Sequence, residues 1–266
     1  MNKTVDLKRV SGLNSDSAKR AGVAYKFLES IGYEVPATEV RTVNGINYLY
    51  MQKEPLMFDL GTLLQIDPNM KLFDAIDCIV DEQRTYFDRY LSQLIAAYTV
   101  NARIPDPRKI TYWMTAGLSC VYYGLCDLEM PLSQDNLYFQ HTIDFHEIMS
   151  EITTKYPLSI KIITNLIFDM QDKYDAGLKY LTSLEYVYSN DLKEYRDIIT
   201  RNTDDLVEWL LNDYMISDAF GQLLRGWQSN LYDTWVDLTR MGNYTDYYDV
   251  EARKRILTAL CVPLKI

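Results

Sequence analysis

The chain has 266 residues, of which 48% are hydrophobic and 24% are charged, so it can bury a core and is not wholly disordered. Its 27 basic and 37 acidic residues give a net charge of -10, which disfavours dedicated nucleic-acid binding because an acidic surface repels phosphate groups. No apolar run approaches the roughly 18 residues that a membrane-spanning helix needs, and the N-terminal residues show no apolar signal-peptide core. We therefore expect a protein without a membrane partner, located in the cytoplasm, or in a virion if it is of phage origin.

Residues 1–14 are mostly polar and are predicted to form an arm before the first helix. Ser15 or Asp16 can cap that helix, because side-chain oxygens accept hydrogen bonds from the free N–H groups at a helix start. Phe27 lies on the apolar stripe of the same helix, and Gly32 is suited to end it.

A β-hairpin is predicted directly after this helix. The segments TEVRTV and INYLYM flank Asn44 and Gly45, a pair that favours the positive φ angles of a tight turn. An isolated hairpin is marginally stable, so this one is expected to pack on helices or to pair with a strand of another chain. Residues 1–55 are predicted to form an N-terminal subdomain of arm, helix and hairpin.

The rest of the chain, residues 56–266, is predicted to be a helical bundle domain with an extended C-terminal tail. A seven-residue apolar repeat predicts one long helix over 70–100, interrupted on its apolar stripe by Gln83. Residues 108–126 are apolar on nearly every face, which predicts a helix at the centre of the domain. The other helices are predicted at 56–66, 136–155, 158–182, 191–201, 204–217, 220–241 and 246–260.

The predicted fold class is mainly α: a multi-helix bundle of about eight or nine helices with one small N-terminal β-hairpin. No alternation of strands and helices is present that would indicate a nucleotide-binding α/β fold. The four cysteines are scattered within apolar stretches, which predicts buried reduced thiols.

The two histidines, His141 and His146, lie in the helix predicted over 136–155. Because each helical residue turns the chain by about 100°, these two side chains differ by about 140° and do not easily share a metal ion. Neither the zincin pattern nor the repeated Glu-x-x-His pattern of di-iron bundles is present. We interpret both residues as ordinary helix histidines and expect no metal site and no cofactor.

The segment Asp204-Asp205-Leu206-Val207-Glu208 resembles the aspartate-rich motif of all-α terpene synthases, in which carboxylates hold magnesium. The resemblance covers five residues, and the second metal-binding motif of that family is not recognisable. Thr203, Asp204 and Asp205 also suit the start of a helix, where side-chain oxygens and negative charge are favourable. We therefore predict that they cap the helix over 204–217.

Other polar and reactive residues are interpreted as structural. Cys120 and Cys126 do not have the spacing of a redox pair or a zinc site, and Ser119 lacks the context of a hydrolase nucleophile. Three basic clusters and one acidic helix edge are interpreted as solvated helix faces. The residues of these faces are Lys19-Arg20, Arg108-Lys109, Arg253-Lys254-Arg255, Asp169, Asp172 and Asp175.

Tyrosine is over-represented, with 22 tyrosines against 8 phenylalanines, which indicates either extensive protein interfaces or a compositional bias of the genome. Together with the missing catalytic motifs, it favours a structural or assembly protein that forms a homo-oligomer or a larger assembly. In architecture and composition the chain is similar to connector, ring or adaptor components of tailed-bacteriophage particles. The interface candidates are Val43, Asn44, Gly45, Tyr48, Tyr50, Tyr244, Tyr247 and Tyr248.

The alternative is a helical-bundle enzyme or a small-ligand-binding protein with an apolar aromatic pocket. The residues that could line such a pocket are Trp113, Tyr122, Tyr123, Trp227 and Trp235. A protein that mimics nucleic acid through its acidic surface is a third possibility.

Overall fold

The fold is mainly α, as predicted, with ten α-helices and six strands within the described part of the chain. A computed structural model describes the backbone of residues 7–33, 35–52, 57–82, 84–102, 104–109, 111–114, 120–124, 137–184, 187, 189–240 and 247–261. The helices are α1 (Ser15–Ser30), α2 (Leu60–Leu63), α3 (Leu72–Glu82), α4 (Arg84–Thr99), α5 (Leu137–Lys155), α6 (Ser159–Leu181), α7 (Ser189–Glu208), α8 (Asp218–Trp227), α9 (Ser229–Arg240) and α10 (Tyr247–Cys261). The strands are β1 (Leu7–Arg9), β2 (Thr38–Val43), β3 (Ile46–Gln52), β4 (Met57–Asp59), β5 (Thr111–Met114) and β6 (Cys120–Gly124). Within these ranges, none of the helices has the length and apolar character needed to cross a membrane.

The N-terminal sheet has the strand order β1-β3-β2, and β3 pairs in antiparallel orientation with both neighbours. Asn44 and Gly45 join β2 to β3 with φ angles of 52° and 78°, which confirms the predicted tight hairpin. The prediction of a polar arm over 1–14 is wrong for residues 7–9, because these form β1 and pair with residues 50–52 of β3. A three-residue strand shows too little alternation to be recognised from the sequence.

Helix α1 is capped by Asn14 rather than by the predicted Ser15 or Asp16. The Oδ1 atom of Asn14 accepts a hydrogen bond from the backbone N–H of Ser17 at 2.8 Å. Ser15 has a different role, because its Oγ accepts a hydrogen bond from the backbone N–H of Asn47 at 2.9 Å. This bond ties the start of α1 to the turn end of the hairpin.

Helices α1, α4, α6 and α7 form the central packing group, and α10 packs against α6. Helices α1 and α6 approach each other closely at Gly177, where an added Cβ would be 2.6 Å from Ile31 and 2.7 Å from Phe27. Only glycine fits at such a contact. Gly32 ends α1 with a φ angle of 94°, as predicted.

A second sheet is formed by β4, β5 and β6, with β5 antiparallel to both neighbours. The prediction of a central helix over 108–126 is therefore wrong for the described residues, since β5 and β6 lie in this segment. The helix predicted over 56–66 is wrong at its start, because residues 57–59 are β4 and the side chain of Asp59 caps α2. Both segments are short apolar runs, in which periodicity does not distinguish a buried strand from a buried helix.

The segment predicted as one helix over 70–100 is helical over Leu72–Glu82 (α3) and Arg84–Thr99 (α4). Gln83 lies between them, outside the described residues. The predicted apolar stripe is buried on both sides of Gln83, because Ile76, Phe87 and Leu94 are each at most 1% exposed. The predicted helices over 136–155, 158–182 and 246–260 correspond to α5, α6 and α10.

The two helices predicted over 191–201 and 204–217 are one continuous run, in which α7 is followed by a π-helical turn over Trp209–Tyr214. The predicted cap at Thr203-Asp204-Asp205 is wrong, because these residues lie inside α7. The hydroxyl of Thr203 donates to the carbonyl of Ile199 at 2.8 Å, one turn earlier in the same helix.

The single helix predicted over 220–241 is two helices, α8 and α9, separated by Gln228 in an extended conformation. The physical reason is a contact between them. A Cβ added to Gly221 in α8 would lie 2.2 Å from the ring of Trp235 in α9. The chain folds back at Gln228 so that this ring covers the glycine.

The basic clusters are not fully solvated, which corrects their interpretation as solvated faces. Lys19 is 7% exposed and forms an ion pair with Asp191 of α7. Arg253 is 2% exposed and donates to the carbonyl of Leu211 at 3.0 Å, which ties α10 to the π-helical turn. Arg108 donates to backbone carbonyls of the loop after α2. Each of these cations thus joins elements that are distant in sequence.

Candidate functional site

The N-terminal sheet has one face on the core and one face away from it. Leu49 in the middle of β3 is 2% exposed, so alternation along the strand places Tyr48 and Tyr50 on the opposite face. The register of β1 and β2 against β3 adds three charged residues and an apolar pair to that face. We call this surface the outer sheet face, and its residues are Arg9, Glu39, Arg41, Val43, Ile46, Tyr48 and Tyr50.

Both tyrosines of the outer sheet face lie beneath a guanidinium group. The Arg9 guanidinium carbon is 3.9 Å from the ring centre of Tyr48, and that of Arg41 is 4.3 Å from the ring centre of Tyr50. Arg41 also donates two hydrogen bonds to Glu39, at 2.9 and 2.7 Å. These hydrogen bonds lower the pKa of Glu39 below its ordinary value. Stacked aromatic and guanidinium groups are typical of protein-binding surfaces.

The turn end of the hairpin is the most apolar exposed part of this surface. We define Val43–Ile46 as the hairpin tip. Val43 and Ile46 are directly cross-strand and are 50% and 45% exposed, respectively. Asn44 and Gly45 between them are also exposed. Of the predicted interface residues, Val43, Asn44 and Gly45 therefore lie together at the tip, while Tyr48 and Tyr50 lie farther along the same face.

The sequence analysis did not select Arg9 or Arg41. The signal that could have found Arg41 is the two-residue alternation of the hairpin, which places it on the same face as Tyr48. Arg9 could not be found in this way, because its strand was not predicted.

For some of the residues selected from the sequence, the structure describes only the backbone. Others lie outside the described ranges. The backbone of Tyr247 and Tyr248 belongs to α10, but their side chains lie outside the described part of the structure. Tyr244 lies outside it entirely. The side chains of some further residues also lie outside the description, namely those of His141, Trp113, Tyr122, Tyr123 and Cys120. Ser119, Cys126, residues 1–6 and the predicted C-terminal tail lie outside it entirely. Asp169, Asp172 and Asp175 are described and are exposed on α6.

The two described members of the predicted aromatic pocket do not share one cleft. Trp227 lines an open cleft of about 650 Å³ between the end of α5 and α8, where the Lys161 ammonium lies 3.8 Å from its ring centre. Trp235 does not line that cleft; its ring lies against Gly221 and its Nε1 donates to the carbonyl of Met215.

A polar cluster of Tyr98, His146 and Asp205 joins α4, α5 and α7. Asp205 accepts hydrogen bonds from His146 Nε2 at 2.9 Å and from the hydroxyl of Tyr98. Phe145 stacks on the ring of Tyr98 with ring centres 4.0 Å apart, and Trp209 lies beside the imidazole. The His146 and Asp205 side chains are 25% and 26% exposed.

Asp205 remains a carboxylate in this cluster. Burial by itself would raise the pKa of Asp205, but the hydrogen bonds from His146 and Tyr98 outweigh burial and hold that pKa below its ordinary value. The terpene-synthase resemblance is therefore not supported at this residue, because its carboxylate is occupied by two donors of the same chain. Within the described residues, no group of three or more His, Cys, Asp or Glu side chains is arranged to hold a metal ion.

A histidine held by a carboxylate can serve as a general base only when a proton to be removed lies within hydrogen-bond reach. Among the described residues, His146 forms a hydrogen bond with Asp205 and with no other group. No serine or cysteine of this part of the chain is bonded to the imidazole. The geometry shows that one carboxylate joins three helices.

A cleft of about 470 Å³ lies between the end of α1, the start of α4 and the middle of α6. Its walls combine apolar side chains with charged ones, and we call it the α1–α4–α6 cleft. The residues that line it include Ile31, Tyr33, Asp88, Arg89, Ile162, Leu166, Asp169, Met170 and Lys173.

Asp88 is one of the charged residues that line this cleft. Its Oδ1 atom is buried and lies 3.6 Å from Arg84 Nε, in an ion pair rather than a hydrogen bond. Burial raises the pKa of Asp88 above its ordinary value, against the ion pair with Arg84, which lowers it.

No protein-family model matches the chain, and no curated protein shows a significant similarity to it. The geometry of the outer sheet face, the polar cluster and the cleft is therefore the basis for a functional proposal.

Proposed function

We propose that this chain is a non-enzymatic structural protein that assembles through protein–protein interfaces, with the outer sheet face as a main contact surface. The observation that carries the proposal is the composition of this face. It combines an exposed aliphatic pair, Val43 and Ile46, with two tyrosines stacked under arginines. None of these side chains faces the core, so their apolar and aromatic surface is available to another protein.

The polar cluster supports the same proposal indirectly. Tyr98, His146 and Asp205 are the described residues that most resemble a catalytic group, and they bond to one another rather than to a substrate cavity. Their arrangement is sufficient to explain them as a fastening between helices.

The specific role that we propose is a connector, ring or adaptor component of a tailed-bacteriophage particle. Its support is similarity of architecture: a helical body of packed helices that carries a small antiparallel sheet with an exposed hairpin. Subunits of this kind act through surfaces that repeat around a closed assembly.

A small-ligand-binding bundle is the second candidate, and the α1–α4–α6 cleft is the observation that favours it. Its volume of about 470 Å³ is within the range of small-molecule sites, and charged side chains, among them Arg89 and Lys173, line it beside apolar ones. Trp227 and Trp235, two of the residues expected to line an aromatic pocket for such a ligand, do not line the same cleft.

The proposed function is tested by the absolute mass of the purified protein, measured by light scattering over a concentration series. We expect a defined multimer that the double substitution Arg9→Ser/Tyr48→Ser weakens at least tenfold, because stacked arginine and tyrosine side chains are strong interface contacts. The matched control is Lys193→Ser on the exposed surface of α7, which should leave the mass unchanged. A multimer with equal affinity in all three proteins would contradict a role for the outer sheet face.

A further inference from the structure

The outer sheet face carries two arginine–tyrosine pairs that are built in the same way on the two sides of β3. In β1, Arg9 lies opposite Tyr50 but stacks on Tyr48, with its guanidinium carbon 3.9 Å from the ring centre. In β2, Arg41 lies opposite Tyr48 but stacks on Tyr50, at 4.3 Å. Stacking on a ring holds the plane of a guanidinium in place, while the N–H groups at its edge stay available as donors.

The Arg41–Tyr50 pair holds a carboxylate of the same strand. Nε and Nη2 of Arg41 donate to the two different carboxylate oxygens of Glu39, at 2.9 and 2.7 Å. This bidentate arrangement is the strong form of an arginine–carboxylate contact. Glu39 can reach the guanidinium because it lies two residues before Arg41 and therefore on the same face of the sheet. The outer sheet face thus contains one complete example of a carboxylate bound by a stacked arginine.

The Arg9–Tyr48 pair is built alike but holds no such carboxylate. The residue two positions before Arg9 is Leu7, which has no charged group where the other pair has Glu39. Within the described part of the chain, Arg9 forms no hydrogen bond or ion pair, and it is exposed. Its N–H donors are therefore oriented by the tyrosine ring and open to a carboxylate from another molecule.

The surroundings of Arg9 indicate what kind of molecule supplies that carboxylate. Residues 1–55 hold eight basic and six acidic residues, so this region is positive although the whole chain has a net charge of -10. A positive region on an acidic protein favours an acidic partner. Ile46 precedes Tyr48 by two residues, so an exposed aliphatic side chain lies about 7 Å along β3 from the stacked ring. A protein segment with one acidic and one aliphatic side chain can use both contacts, whereas a small dicarboxylate cannot.

We propose, on the basis of the proposed assembly function, that the Arg9–Tyr48 pair is a carboxylate-binding site for an acidic segment of a protein partner. An Asp or Glu side chain of the partner accepts two hydrogen bonds from Arg9, as Glu39 does from Arg41. An aliphatic side chain of the same segment packs on Ile46. A separation of about 7 Å is that of residues i and i+2 in an extended chain, so the partner presents both side chains from one face of a strand.

The test uses two synthetic peptides, acetyl-Glu-Ala-Leu-Ala-Glu-amide and a matched peptide with Gln in place of both Glu residues. NMR follows the titration through the Nε–H signals of the arginines and the backbone signals of Val43–Ile46. The acidic peptide should shift the Arg9 Nε–H signal and bind about fivefold more tightly than the Gln peptide, because its contact is charged. Arg9→Gln should abolish this preference, and Arg9→Lys should lose most of it, since an ammonium group lacks the planar fork. Circular dichroism verifies that each variant is folded.

A further variant predicts a gain of binding and leaves Arg9 unchanged. Glu39→Ala removes the carboxylate from Arg41, so the Arg41–Tyr50 pair should now bind the acidic peptide, and its Nε–H signal should respond as that of Arg9 does. Glu29→Ala is the matched control, because it removes the same charge from a side chain of similar exposure, 49% against 47%. The control should leave the Arg41 signal unresponsive. An Arg41 signal that ignores the peptide in Glu39→Ala would overturn the inference.

Other outcomes separate this inference from the proposed function. Equal affinities of the two peptides for the wild-type chain overturn the inference, while a multimer that Arg9→Ser/Tyr48→Ser weakens still supports the proposed function. A chain that is monomeric but binds the acidic peptide at Arg9 supports the inference and limits the proposed function to a different protein as partner. If inorganic phosphate at the same concentration shifts the Arg9 signal more than the acidic peptide does, the site takes a phosphate group and the inference fails.

Discussion

Tyr98 in α4 and Tyr48 in β3 both lie beside a charged group, but their surroundings are opposite. The hydroxyl of Tyr98 donates to Asp205 in a partly buried cluster that joins three helices. Tyr48 lies beneath Arg9 on the outer sheet face, away from the core. The helical body thus uses polar and aromatic groups to hold itself together, whereas the N-terminal sheet carries them on a face away from the core.

This difference has a direct consequence for substitutions. A change in the helical body removes a partner from groups that are partly or fully desolvated, so it should lower the free energy of unfolding. A change on the outer sheet face alters a side chain that is already in contact with solvent in the folded chain. It should therefore affect association far more than stability. The four predictions below test this contrast, in order of decreasing effect on stability.

The largest effect is expected for Asp205→Ala. The substitution leaves the hydroxyl of Tyr98 and the imidazole of His146 without their shared acceptor, which should lower the free energy of unfolding by about 3 kcal/mol. The melting temperature should fall by roughly 6–12 °C in thermal unfolding followed by circular dichroism. Its neighbour Asp204 is exposed, and Asp204→Ala should change stability by less than about 0.5 kcal/mol. Equal effects of the two substitutions would contradict the fastening role of the cluster.

The next effect is expected for Gly221→Ala. The new methyl group would overlap the ring of Trp235, whose nearest atom is 2.2 Å from the added Cβ position. Separation of α8 from α9 should then cost about 2 kcal/mol in urea unfolding. Gly226→Ala in the same helix is the control, because no atom lies within 4 Å of its added Cβ. That variant should be neutral or up to about 1 kcal/mol more stable, and a destabilised Gly226→Ala would refute the steric explanation.

The third prediction concerns pH and the Asp205 carboxylate. Because its folded pKa is lowered below the ordinary value of 3.8, its stabilising contribution is complete above that value and is lost as pH falls through the folded pKa. Asp205→Asn should therefore be less stable than the wild-type chain by about 1.5 kcal/mol near neutral pH, and the difference should shrink as pH falls below 3.8. Denaturant unfolding at several pH values measures it. A difference that stays constant with pH would show that the charge of Asp205 contributes nothing.

The smallest effect on stability is expected for Ile46→Ser at the hairpin tip. Ile46 is already 45% exposed, so the free energy of unfolding should change by less than about 0.5 kcal/mol. Self-association measured by sedimentation velocity should nevertheless weaken about tenfold, since an aliphatic anchor is removed from the contact. Leu49→Ser provides the contrast within the same strand, because Leu49 is 2% exposed and its loss should destabilise the fold itself.

The sequence predicted those parts of the fold that depend on local signals. Asn44 and Gly45 determine the hairpin because the turn requires positive φ angles at both residues. Helices α5, α6 and α10 follow from the apolar periodicity within each segment. These elements would be recognised in almost any tertiary context.

The parts that could not be predicted depend on contacts between distant residues. The break at Gln228 exists because Trp235 folds back onto Gly221, and strand β5 pairs with both β4 and β6. Asp205 and His146 are 59 residues apart, so their hydrogen bond leaves no local pattern, and the acidic stretch resembled a helix cap. At the candidate site, the tip was predictable from the turn, whereas the cleft is formed by three helices and was not.

The most direct test of the account is a concentration series of backbone amide NMR spectra of the deuterated wild-type chain. We predict that the signals of Val43–Ile46, Tyr48 and Tyr50 shift together as the concentration rises, because all of them belong to the outer sheet face. The signals around His146 and Asp205 should stay constant, since Asp205 is hydrogen-bonded within each chain. Shifts confined to other regions of the chain, or shifts of the polar cluster without the outer sheet face, would contradict the account.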